Sequence, residues 1–187
     1  MNKEKQIQFI VFSDIMYGVV MGIGFNFLIH TIDSLSLSSL ILIIWVYFLI
    51  CDDWFGAHYM ASHYSYNVWI FFIDILIMLN FIFLIYFASK TSIYMFIPMI
   101  IYPFLSFFWN NAYIAICKNF PEEQTVLKIW RIGSIVLLII YAILLSILYA
   151  LKIQILNLKL AIVTFFPWLI WRVILAWISR HKVGKIV

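Results

Sequence analysis

Charge is scarce in this chain. Only 11% of residues are charged against 66% hydrophobic, and mean hydropathy is +1.08. That leaves too few polar side chains to clothe a soluble globule of this length. Cysteine is nearly missing: Cys51 and Cys117 stand alone, without the paired spacing of a metal or redox motif, and read as free structural thiols at helix ends. Glycine numbers six, and none belongs to a phosphate-cradling loop. There is no Gly-x-Ser-x-Gly elbow, no His-Glu-x-x-His pair and no Cys–His nucleophile couple, so no enzyme class and no cofactor is expected. The formal charge of +4 would suggest nucleic acid in a soluble domain. Here the basic residues sit between and after apolar runs, which makes them topology determinants and removes nucleic acid as a partner.

What is present is a succession of long apolar runs. Spanning a bilayer takes about 20 residues, and windows of that size fall at 9–30, 37–55, 67–88, 92–117, 126–151 and 158–179. Backbone groups in hydrocarbon must pair internally, and the runs are continuous rather than alternating, so helices are expected and not a barrel. The expected fold class is all-α: residues 1–187 form one integral membrane domain, a polytopic bundle of six transmembrane helices. Short connections make consecutive helices antiparallel, and no internal repeat supports an inverted-repeat transporter. The first run contains Asp14 and no small-residue cleavage site, and reads as a retained helix. With the N terminus inside, Lys3, Lys5, Lys118, Lys128, Arg131, Arg180, Lys182 and Lys185 gather on the cytoplasmic side, against Lys90, Lys152 and Lys159 outside. Both termini are therefore expected in the cytoplasm. Abundant Ile, Phe, Asn, Lys and Tyr fits an AT-rich prokaryotic gene and, with it, a bacterial inner membrane. Pro98 and Pro103 are expected to kink the fourth helix and Pro167 the sixth, while Pro121 with Glu122 and Glu123 marks a helix start. Trp130, Trp171 and Trp177 are expected in the interfacial aromatic belt.

Polar groups inside such runs are expensive and usually face protein or water. In the first helix, at about 100° per residue, Val19, Ile23, Asn26 and His30 share one stripe, and Asp14, Gly18 and Gly22 another. The glycine pair forms a GxxxG, which permits close approach by a second copy or by a helix of the same bundle. Branched apolar side chains can gate a pore by dewetting, and an asparagine carbonyl can replace part of a cation's hydration shell. His30 near the outer mouth adds a titratable charge, and Asp33 in the first external loop could concentrate cations there.

Phe12-Ser13-Asp14, near the start of the first helix, resembles the signature of the lysosomal and prokaryotic potassium-channel family built from six-helix units. Trp54 and His58 are similar to the Trp and His that follow that family's second span. The resemblance implies a homotetramer with the first helices around the axis and Phe12, Ser13 and Asp14 engaged in hydrogen bonding and packing. It further implies an apolar gate one and two turns on, at Val19 and Ile23, with Asn26 continuing the stripe. The chain departs from the family pattern at Gln8, where an arginine is usual, in the run Ile15-Met16-Tyr17-Gly18-Val19, and by one residue in the Trp-to-His spacing.

Asp74, Asn80, Asn110, Asn111 and Arg172 also fall within spans and are expected to face inward, with Asp74 and Arg172 as an ion pair or Asp74 as a relay. Asp52, Asp53, His58 and His63 could be a metal set, but steps of five rotate a helix by about 140°, so one continuous helix cannot converge Asp53, His58 and His63. Only a bent second-to-third connection could. The expectation is a passive cation channel, permeable to potassium, whose partners are the lipid bilayer, monovalent cations and further copies of the chain. The alternative is a membrane scaffold or sensor signalling to a cytoplasmic protein through residues 118–128 and the basic tail from Arg180.

Overall fold

The computed structural model describes residues 3–183. Lys185 lies outside the described residues, as do the side chains of Lys3, Lys5, Arg180 and Lys182. The chain is all-α, with helices α1 (Lys3–Thr31), α2 (Leu37–His63), α3 (Val68–Ser89), α4 (Phe96–Ile116), α5 (Pro121–Ala150) and α6 (Leu158–Val183). Each is long and apolar enough to cross a membrane. Their starts are written locally. Ser36, Asn67 and Asn157 accept from the backbone N–H groups of Ser39, Ile70 and Leu160 at 3.1, 3.0 and 3.0 Å, pairing donors that a helix start leaves orphaned. Pro121 opens α5 with Glu122 and Glu123 in its first turn.

Three local expectations are corrected. The second helix runs two turns beyond residue 55, to His63, because Asp52 and Asp53 lower the hydropathy of that stretch without breaking it. Cys51 therefore lies within a helix, whereas Cys117 caps the end of α4. Pro98 occupies the first turn of α4, behind a 3-10 turn at Ile93–Met95, where a missing N–H is harmless. Pro103 and Pro167 stand inside α4 and α6.

Side-chain contacts give the packing directions. α1 runs antiparallel to α2, with Asp14 beside Trp54 and Met21 beside Tyr47. It lies parallel to α3, with Phe12 on Phe71 and Gly24 near Ile85. α2 continues parallel to α6 through Trp45 on Phe165 and Asp52 with Arg172, and α4 packs extensively along α5. At the end remote from the start of α1, the α3–α4 and α5–α6 connections are laced together. Ile93 N donates to Gln154 O at 3.1 Å and Leu156 N to Thr91 O at 2.7 Å, around a single antiparallel bridge between Ser92 and Ile155. The carboxylates of Asp52, Asp53 and the buried Asp74 lie toward the other end.

Candidate functional site

The inner face of α1 is Ser13, Tyr17, Val20 and Gly24, all buried, at steps of three and four that a helix turns into one stripe. A Cβ at Gly24 would overlap the Tyr47 hydroxyl and stand 2.9 Å from Ile85 Cδ1, so this glycine marks the closest approach of α1 to its neighbours. Tyr47 there donates to the Met21 carbonyl at 3.1 Å. The GxxxG expected to pack closely lies on a different line of the helix, at Gly18 and Gly22. A Cβ at either would meet nothing within 4 Å, so among the described residues no helix packs on the GxxxG.

Phe12, Ser13 and Asp14 each have a partner within the chain. Phe12 meets Phe71 with ring centroids 5.2 Å apart, and Ser13 is buried beside Tyr66. Asp14 Oδ1 accepts from Trp54 Nε1 at 2.8 Å and lies 3.0 Å from His58 Nδ1. Trp54 and His58 are four apart on α2 and so share a face, which lets one carboxylate engage both. The remaining residues point away from the bundle: Val19 is 48% and Ile23 45% exposed, and Asn26 and His30 are exposed beyond them.

Behind this contact, consecutive residues of α2 reach three neighbours. Asp53 accepts from Tyr17 of α1 at 2.5 Å and Tyr102 of α4 at 2.9 Å. Asp52 pairs with Arg172 of α6, whose guanidinium carbon sits 4.9 Å from the ring centroid of Trp130. The expected pair of Asp74 and Arg172 is not formed. α6 packs on α2 rather than α3, and Asp74 takes the Tyr66 hydroxyl instead. Trp130 likewise serves Arg172, and Trp171 packs on Gly133, so both belong to the α5–α6 interface; Trp177 is exposed. Asn80 donates to the Pro98 carbonyl at 2.9 Å and Asn111 accepts from Arg131 at 3.0 Å, each tying adjacent helices.

α2 is unbroken through His63, so the bend that could gather Asp53, His58 and His63 does not occur; His63 Nδ1 lies 2.8 Å from Tyr59 O. Among the described residues no three such side chains group around a metal position. Outside the spans, burial and then the neighbouring Glu123 push the Tyr64 hydroxyl upward from its ordinary range.

Tyr17→Phe removes one of two donors to a half-buried carboxylate and is expected to cost about 0.5–1.5 kcal/mol. Detergent unfolding of the full chain measures it, and an unchanged midpoint would show that Asp53 does not depend on the phenol. Compared with family models, curated proteins and solved structures, the chain finds no match.

Proposed function

We propose that the chain is the subunit of a passive cation channel, permeable to potassium, in which four copies assemble with α1 nearest the axis and both termini in the cytoplasm. The observation that supports this reading is Asn26. Its amide lies inside an apolar span, on the face of α1 turned away from the bundle, and is exposed there. Leaving an amide in hydrocarbon is costly; a water-filled path between copies removes that cost. The open line at Gly18 and Gly22 is suited to the close approach of a second helix.

In this arrangement Val19 and Ile23 form successive rings of branched apolar side chains that expel water and close the path by dewetting. Asn26 lends its carbonyl to a partly dehydrated cation above them. His30 opposes cations when protonated. Asp14 does not touch ions: bound to Trp54 and His58, it sets the rotation of α1 and with it the direction of the stripe. The orientation follows from the lysine and arginine balance.

Potassium flux from liposomes holding the purified chain provides the test. Val19→Ala and Ile23→Ala should each raise flux severalfold by widening the apolar rings. Ion-tight liposomes with the parent chain and both variants would reject the reading. A soluble protein co-purifying with such a tight chain would favour the scaffold or sensor instead.

A further inference from the structure

We propose that each subunit holds a separate site for one small monovalent cation, between α2 and α4, with Asp53 and Asn110 as its principal oxygen donors. A cavity of about 50 Å³ lies among α2, α4, α5 and α6, and its lining includes Asp52, Asp53, Tyr102, Ser106, Asn110 and Arg172. Its size restricts the occupant. Organic ligands take roughly 300–1,000 Å³, whereas a water-sized sphere needs roughly 10–15 Å³, so the space suits an ion with a few waters.

Charge restricts it further. Asp52 is neutralised by Arg172, which is also held over Trp130, while the partners of Asp53 are two phenols, Tyr17 and Tyr102. Two carboxylates and one guanidinium leave a formal charge of −1. An uncompensated charge is strongly unfavourable in a low-dielectric interior. One positive charge balances the cavity, and a divalent ion overshoots it.

An independent observation comes from Asn110, which is 1% exposed. Its Nδ2 donates to Ser106 O at 2.7 Å. That bond orients the amide, since exchanging N and O would set two acceptors against each other. Oδ1 is then left buried without a hydrogen-bond partner, a state native interiors rarely leave uncompensated. A buried amide oxygen without a donor, a carboxylate whose hydrogen bonds among the described residues come from two phenols, and adjacent hydroxyls are the ligand set of a hard cation. None of these residues belongs to the α1 stripe, so the site does not depend on conduction.

The test is thermal melting of the full chain in lipid nanodiscs, in sodium, potassium or choline chloride at equal ionic strength and pH. Sodium or potassium should raise the melting temperature saturably by a few degrees relative to choline, which is too large to enter. Asp53→Asn, which keeps the side chain's size and one of its two acceptor oxygens, should abolish the difference between salts. So should Asn110→Ala, which keeps the test decisive if the first variant does not fold. Asn26→Ala should retain the difference, because the α1 stripe is elsewhere. Equal melting in all three salts would overturn the proposal, as would a shift that survives in both cavity variants but disappears in Asn26→Ala. A melting temperature that follows pH and ignores the cation would assign the balancing charge to a proton, and would overturn it too.

Discussion

Replacing Arg172 by alanine is expected to destabilise the chain by about 1–3 kcal/mol, since the ion pair it breaks is half-buried and lies between the exposed and fully buried cases. Asp52 would be left at the junction of α2 and α6, with its side chain only 19% exposed. The stacking on Trp130 at 4.9 Å would go as well, which adds about 0.5–2 kcal/mol for a cation over an aromatic face. Arg172→Lys keeps the charge but not the planar fork, and should recover only part of the loss. The double variant Arg172→Ala with Asp52→Asn should be more stable than Arg172→Ala alone, since no charge then remains stranded. Equilibrium unfolding in mixed micelles reads all four proteins. If Arg172→Ala unfolds where the parent does, the pair contributes nothing to the fold.

Gly133→Ala should be the most damaging single-methyl change. A Cβ at this position would overlap Cε2, Cζ2 and Nε1 of the Trp171 indole, a broad rigid group that cannot fold back as an alkyl chain does. Accommodating it means parting α5 from α6. Overpacking of that kind costs about 1–3 kcal/mol, occasionally more. Trp171→Leu in the same chain should relieve the overlap and restore part of the melting temperature. Gly18→Ala and Gly22→Ala, compared as detergent-solubilised monomers, make natural controls, since their methyl groups enter open space within one chain. Gly133→Ala melting together with those controls would mean that the helices pass further apart there than the geometry indicates.

The positions of the helices were largely legible in the sequence because a span must be long and apolar whatever it packs against. Their rotations were not. In a bilayer the lipid-facing and core-facing sides of a helix are equally apolar, so hydropathy does not say which neighbour Arg172 meets. Choosing Asp74 required knowing that α6 packs on α3, and it packs on α2. The contact of Asp14 with Trp54 and His58 was within reach, because an i, i+4 pair on one helix needs only an antiparallel partner to converge on one carboxylate. Tyr17 and Tyr102 escaped notice because a tyrosine in a greasy run looks like any other aromatic until the acid it faces is known. Gly24 and Gly133 escaped it for a different reason: a close crossing needs one small residue at the crossing point, and nothing along the chain marks where helices cross.

The laced turns at Thr91 and Leu156 give the molecule unequal mechanical parts. They clip α3, α4, α5 and α6 into one block through main-chain bonds, while among the described residues α1 and α2 meet that block only through side chains and the link to α3. The opening hairpin is thus seated on the block by side chains, with residues 64–67 as its main-chain link. A substitution at Asp52 or Asp53 would therefore loosen the seat of α2, and through Tyr17 that of α1, while the four-helix block keeps its main-chain clip.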